Sequence, residues 1–214
     1  MSMRTYGDGC GIAHGLDLLG ERWALLVVRE LLLGPKRFTD LREGLPNVSP
    51  NVLSQRLREL EEAAVVQRRK LPPPAASMIY ELTDWGRELK PILLTLGMWA
   101  VRSPAFTGEG PVGADSVILG LGTFFNGALA GDLDARYELR LGDRVFFLRV
   151  ADGTIDIGRD PAGAPDAVIT TDIDTLRALL WSQRALDDSL AAGDIAIEGS
   201  RDAVVRLLAV FPQA

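Results

Sequence analysis

Ser49-Pro-Asn-Val-Leu-Ser-Gln-Arg-Leu-Arg-Glu-Leu-Glu61 opens with a helix-start signal and continues with helical periodicity. Serine is a favoured N-cap because its hydroxyl accepts a backbone N–H of the first turn. Proline suits the next position because the N–H it lacks would have no helical partner there. At 3.6 residues per turn, Leu53, Leu57, Leu60 and Ala64 share one stripe, which predicts a buried face. Asn51, Ser54, Gln55 and Arg58 share the opposite face. These side-chain types read base edges in the major groove of DNA, arginine pairing with guanine and asparagine or glutamine with adenine. Arg56 lies on the flank, where it would reach a phosphate, and the amides from Ser49 to Asn51 favour an anion at the helix N-terminus.

On the N-terminal side of this helix, Asp40 to Leu45 reads as a short helix capped by Thr39, followed by a Pro46-Asn47 turn. The pair predicts a helix-turn-helix. Trp23 to Leu33 is apolar nearly all round and predicts a buried central helix, stopped by Gly34-Pro35. Lys36 to Phe38 reads as a short strand, with Arg37 placed for a phosphate, and Ile12 to Leu19 as a first helix. On the C-terminal side, Val65 to Lys70 and Ser77 to Leu82 are strand-like and flank Leu71-Pro-Pro-Pro-Ala-Ala76. That predicts a hairpin with a proline-rich tip. Ser49, Arg68 and Lys70 join the candidate backbone contacts, since basic strands leading into a protruding loop suit a wing that grips DNA. Thr83-Asp84 caps a last helix reaching Val101, with Pro91 kinking or dividing it.

Composition sets the outer limits. The 214 residues are 47% hydrophobic and 24% charged, an ordinary globular balance. No apolar run is long enough to span a bilayer, and Met1 to Gly11 lacks the marks of a signal peptide, so the expectation is a cytoplasmic protein with no membrane partner. The net charge of −6 hides an asymmetry. Residues 1–104 carry 14 Lys and Arg against 12 Asp and Glu, whereas residues 105–214 carry 9 against 17. Two domains with different partners are expected: residues 1–103, a Gly/Pro-rich linker over 104–113, and residues 114–214. The single cysteine, Cys10, excludes an internal disulfide. His14, four residues on, makes a poor metal site with it, and no cofactor or metal is expected.

Several segments resemble the HxlR-type winged-helix regulators: Cys10, Leu16-Asp-Leu-Leu-Gly-Glu-Arg-Trp23, Leu31-Leu-Leu-Gly-Pro-Lys-Arg-Phe38, Ser49 to Glu61, and Tyr80-Glu-Leu-Thr-Asp-Trp-Gly-Arg-Glu-Leu89. The resemblance covers about residues 8–102 and keeps order and spacing. It implies a homodimer on a pseudo-palindromic operator of double-stranded DNA. The dimer would form through Ile12 to Leu19 and Pro91 to Val101, with Trp99 as an anchor. The resemblance also makes Cys10 a candidate thiol sensor, with Arg4 lowering its pKa and Asp8 opposing, against the plainer role of a small residue at the dimer interface. Two features depart from the family pattern. Gly11 stands where a proline often follows the cysteine, and the wing tip Pro72-Pro73-Pro74 lacks the usual charge.

The second half reads as an α+β domain with a mainly antiparallel sheet. A helix over Ser116 to Ala130 precedes strands at Arg136 to Leu141, Arg144 to Val150, Thr154 to Gly158 and Ala167 to Thr171. Short helices at Asp174 to Trp181 and Leu186 to Ala192, a strand at Asp194 to Glu198 and a closing helix from Arg201 to Phe211 follow. Catalytic signatures are missing, so an enzyme is not expected. This order, with Gly193-Asp-Ile-Ala-Ile-Glu-Gly199, resembles sterol-carrier-protein-like domains. The resemblance implies an apolar cavity for a hydrophobic small molecule, for which Leu121, Phe124, Phe125, Phe146, Leu148, Leu180 and Trp181 are the candidate lining. The combined reading is a ligand-responsive transcription regulator, a repressor, with an effector-binding C-terminal domain. A lipid-carrier or protein-interaction module that uses the winged helix only as a docking scaffold is the alternative.

Overall fold

The computed structural model describes residues 5–73, 76–108, 110, 112–161, 163–181 and 183–211. They divide into two compact units between Leu93 and Leu94. The first unit holds helices α1 (Gly11–Leu19), α2 (Ala24–Leu31), α3 (Phe38–Gly44) and α4 (Pro50–Glu62). The hairpin β1 (Val66–Lys70) and β2 (Met78–Leu82), helix α5 (Asp84–Arg87) and the start of α6 (Leu89–Ala100) complete it.

Its core forms where the apolar stripes of α2 and α4 meet. Val27, Val28, Leu31, Leu41, Leu45, Leu53, Leu57 and Leu60 are all buried in one cluster. Each such side chain contributes about 1.5–3 kcal/mol by leaving water. α2 is shorter than its apolar run predicted, because Trp23 takes a left-handed φ of 79° and stands outside the helix. The expected strand at Lys36 to Phe38 reduces to one bridge, in which Lys36 and Tyr80 exchange backbone hydrogen bonds of 2.9 and 2.8 Å. Thr39 lies inside α3 and does not cap it. The start is closed instead from within, by the Asp40 carboxylate accepting the Arg37 N–H at 2.9 Å.

A charged contact sits inside this core. Glu30 is 1% exposed and accepts from Lys36 Nζ at 2.6 Å and from Arg29 at 2.8 Å. A buried carboxylate is costly unless paired, so this triad ties α2 to the approach into α3. Gly44 makes room for it, since a Cβ there would stand 2.2 Å from Glu30 Oε2.

The end of α4 departs from the helical wheel. Ala64 is exposed, although the periodicity placed it on the buried stripe. The helix stops at Glu62, and Ala64 takes φ 56°. The Val65 N–H then bonds the Leu60 carbonyl and the Ala64 N–H bonds that of Glu61, both at 3.0 Å, a Schellman end with alanine where glycine is usual. Val65 takes the buried place instead. Thr83 caps α5 by accepting the Gly86 N–H at 2.9 Å, and its hydroxyl donates to the Ala64 carbonyl at 2.7 Å. The predicted last helix is divided at Glu88, which fits Pro91, whose missing N–H would have bonded Arg87.

The second unit is built on a five-stranded sheet of order β5-β4-β3-β6-β7. The strands are β3 (Ala135–Leu141), β4 (Arg144–Ala151), β5 (Thr154–Gly158), β6 (Ala167–Thr171) and β7 (Ile195–Gly199). β3, β4 and β5 form an antiparallel meander, β6 runs parallel to β3, and β7 is antiparallel to β6. Alternation sends Tyr137, Leu139, Phe146, Leu148, Val150 and Ile169 to the covered face. Helices α7 (Ala114–Phe124), α8 (Gly127–Ala130), α9 (Ile173–Leu180), α10 (Leu186–Ala192) and α11 (Arg201–Ala209) complete the α+β unit. The single helix expected over Ser116 to Ala130 breaks because Phe125 is extended and the Asn126 side chain caps α8. No helix among the described residues is long and apolar enough to cross a membrane.

Two outcomes follow from this packing. Ala64→Gly relieves the left-handed alanine and is expected to raise stability by up to about 1 kcal/mol, whereas Gly86→Ala, whose Cβ would stand 2.1 Å from the Val65 carbonyl oxygen, is expected to lower it by about 1–3 kcal/mol. Denaturant midpoints of the two variants check both signs. In the second unit, Tyr137 is 1% exposed and donates its O–H to the Ala203 carbonyl at 2.9 Å. Burial, with Asp166 adding to it, pushes this phenol from 10.0 to about 12. The unfolded phenol ionises first, so the stabilisation is complete below pH 10 and is lost as the pH rises through about 12. Denaturation measured across that window is expected to show a steeper loss for the natural protein than for Tyr137→Phe.

Candidate nucleic-acid interface

Helix α3, the Pro46-Asn47 turn and α4 form a helix-turn-helix, and the burial of Leu53, Leu57 and Leu60 turns the opposite side of α4 outward. Ser49 caps it, accepting the Val52 N–H at 3.4 Å. Pro50 offers no N–H, so the anion-binding expectation for this end narrows to the Ser49 and Asn51 amides. Asn51 and Arg58 are exposed, and Ser54 and Gln55 are half-buried on the same side. Arg37 is exposed at the start of α3.

Arg56 does not sit where the sequence placed it. It is 8% exposed and ion-paired to Glu59, one turn on, and to Glu21 at 3.8 Å. Its guanidinium is largely covered and already engaged by two carboxylates, which takes it out of the phosphate contacts. Glu59 also accepts the Gln55 side-chain amide at 2.9 Å. Sequence reading passed over Glu59 because glutamate on a helix is ordinarily solvated. The i, i+3 and i, i+4 spacings to Arg56 and Gln55 were the available signal.

The wing pairs Val66 with Leu82 through Lys70 with Met78. Within Arg68-Arg69-Lys70 the three side chains divide. Arg69 makes a two-pronged pair with Glu81 across the hairpin, both contacts at 3.1 Å, and Gln67 donates to the same carboxylate at 3.0 Å. The Arg69 guanidinium holds the Glu81 carboxyl below its ordinary pKa. Arg69 therefore locks strand to strand, while Arg68, 3.7 Å from Glu61, and Lys70 are exposed on the other face of the ribbon. At the proline-rich tip, Pro74 and Ala75 lie outside the described residues.

Cys10 is exposed at the start of α1. The backbone amides of Ile12 and Ala13 lower its thiol pKa. Its own N–H donates to Asp8 Oδ1 at 2.9 Å, and Arg4 lies outside the described residues. No cluster of metal-ligating side chains stands among the described residues.

The candidate ligand residues of the second unit do not form one site. Leu121, Leu148 and Leu180, with Leu139, Ile169 and Val204, line a void between sheet and helices, but it measures only about 20 Å³, room for one water-sized sphere. Phe146 lies under the Arg159 guanidinium at 4.7 Å, Phe124 meets Trp181 edge-on at 5.8 Å, and Phe125 meets Phe211 at 6.4 Å. These four aromatic side chains are occupied with packing partners, a pairing that linear sequence does not display.

Comparison with known proteins covers the two halves separately. The HxlR-like helix-turn-helix family model matches residues 18–104, and the alkyl sulfatase C-terminal family model matches residues 116–214. The second match replaces the expected sterol-carrier-like domain. The order of helices and strands and the short Gly193 to Gly199 segment, on which that expectation stood, do not single out one family. An uncharacterized HTH-type transcriptional regulator of Bacillus subtilis, YvaP, is 43% identical over 93 residues, covering 42% of this chain and 86% of its own length. The B. subtilis HTH-type transcriptional regulator YodB is 40% identical over 84 residues, covering 39% and 75%. The solved reduced form of YodB is 34% identical, spans 46% of this chain and 97% of its own, and superposes with a TM-score of 0.42. Through its helix-turn-helix half, this chain belongs to the HxlR-like family of DNA-binding transcriptional regulators.

Proposed function

We propose that the protein is a homodimeric repressor that binds a pseudo-palindromic operator and is released by an apolar small molecule. The observation that carries the DNA-reading part is the outward face of α4, where Asn51, Ser54, Gln55 and Arg58 stand opposite the buried leucines. Arg37, Arg68 and Lys70 hold phosphates beside it. Pairing of two copies is supported by apolar side chains left open, Ile12 on α1 at 76% exposure and, separately, Trp99 on α6 at 66%. Two recognition helices brought together would meet successive major grooves, ~34 Å apart or a multiple of it. Such a protein works in the cytoplasm, where its DNA is, and catalyses no reaction.

The effector reading rests on the void in the second unit, whose lining is apolar throughout. At its present size it admits no alkyl or aromatic ligand, so binding requires α9 and α11 to move apart from the sheet. The ligand would be recognised by burial of apolar surface. Cys10 supplies a second input, as an exposed thiol held toward its thiolate by the α1 amides.

Duplex DNA from beside the protein's own gene is the test of the first part. The natural protein is expected to shift it at low concentration, with affinity falling steeply as salt rises. Arg58→Ala is expected to cost about 5–150-fold in operator affinity with little change in non-specific binding. Equal binding of operator and unrelated DNA, together with transfer of lipid between vesicles, would favour a carrier module and defeat the regulator. Trp99→Glu is expected to convert a dimer to a monomer in sedimentation and to weaken operator binding with it. For the effector, straight-chain alkyl alcohols are expected to raise the melting temperature of the natural protein but not of Leu148→Trp, in which the void is filled. No shift for any chain length would remove the cavity from the proposal.

A further inference from the structure

The Gln55 side chain is a group that could read DNA in either of two senses. Its amide offers an oxygen acceptor at one end and N–H donors at the other, and a half-turn of the group exchanges them. In the structure this ambiguity is removed. The Gln55 Nε2 donates to Glu59 Oε1 at 2.9 Å. A carboxylate only accepts, so the nitrogen end must face it and the oxygen end must face away. Glu59 is itself held, because its second oxygen pairs with Arg56. Arg56 is buried and braced by Glu21 at 3.8 Å. The chain Arg56–Glu59–Gln55 thus runs from a buried guanidinium to the outward face of α4.

The same chain answers an electrostatic difficulty. A bare carboxylate one turn from a DNA-reading residue would be repelled by phosphates, and the Arg56 charge beneath Glu59 offsets it. The burial of Arg56, which removes it from the phosphate contacts, is what makes it useful here.

We infer that Glu59 is a positioning residue for base recognition, fixing the Gln55 amide with its oxygen outward so that α4 selects adenine. One Gln55 N–H is committed to Glu59. The remaining N–H and the oxygen match the N7 acceptor and N6 amino group that adenine shows in the major groove. Guanine places an acceptor where adenine has its amino group, and so opposes the fixed oxygen. This inference rests on the reading of Gln55 as a base contact.

Selection of bound sequences from a library of random duplexes, using the full-length protein, tests it. The natural protein is expected to enrich adenine at one position of each half-site. Gln55→Ala is expected to lose that preference by at least about fivefold while keeping the rest of the motif. Glu59→Gln carries the sharper expectation. Its single oxygen goes to the charged Arg56, its NH2 then faces Gln55, and the Gln55 amide turns over to present N–H outward. The preference at that one position is expected to move to guanine or thymine, whose major-groove oxygens accept. Glu59→Ala, which frees the amide, is expected to leave the position degenerate. A loss of packing alone would weaken the whole motif and would not reverse one base.

Adenine retained in both Glu59→Gln and Glu59→Ala overturns the positioning role while leaving the DNA reading intact. A Gln55→Ala variant that selects the unchanged motif removes Gln55 from base recognition and the inference with it. Enrichment of no motif by the natural protein defeats the underlying reading itself.

Discussion

The burial of Leu53, Leu57 and Leu60 against Val27, Val28 and Leu31 is the contact on which the DNA-binding half depends. A helix with one apolar stripe has one orientation that removes that stripe from water, and at about 1.5–3 kcal/mol for each side chain the alternatives are not populated. Once α4 is oriented, the residues on its other side have no choice of direction. Asn51, Ser54, Gln55 and Arg58 face outward because three leucines face inward. The same contact explains why α2 is so evenly apolar: it is the central helix, with α3, α4 and β2 packed around it.

Around that apolar contact, three ionic groups set finer features. Glu30 with Lys36 and Arg29 links the end of α2 to the approach into α3. Arg56 with Glu59 and Glu21 fastens the flank of α4. Arg69 with Glu81 closes the wing hairpin. In the first, Glu30 and Lys36 are buried, and in the second Arg56 alone is buried while its two carboxylates reach the surface, so loss of a partner strands Glu30 or Arg56 as an uncompensated buried charge. The third is half exposed and adds little stability, but it divides the basic run of β1 into one strand-locking arginine and two outward-facing cations.

The C-terminal unit follows a different logic. Its sheet buries one face under α7, α9 and α11, and Phe124, Phe125 and Phe146 are taken up by Trp181, Phe211 and Arg159 in turn. What remains between sheet and helices is a leucine-lined void too small for an organic ligand. A family match to the alkyl sulfatase C-terminal domain, in a chain whose other half is a regulator, marks this unit as the part that sets the protein apart from YvaP and YodB, whose matches stay within less than half of the chain.

Local physics made much of this legible in the linear chain. Serine before proline marks a helix start wherever it occurs, leucines at helical spacing mark a face, and alternation marks a strand, because each depends on residues within a turn or a pleat of one another. The winged helix, the outward polar face of α4 and the α+β character of the second half all follow from such short-range rules. The fates of Arg56, Ala64 and the four aromatic residues do not. Arg56 is buried because Glu21, far back in sequence, and Glu59 meet it. Ala64 leaves the helix because Val65 fills the core and Thr83 takes up the Ala64 carbonyl. Phe146 is covered by Arg159. In each case a contact between segments distant along the chain takes part, Glu21, Thr83 and Arg159 in turn, and only folding in three dimensions brings those partners within reach.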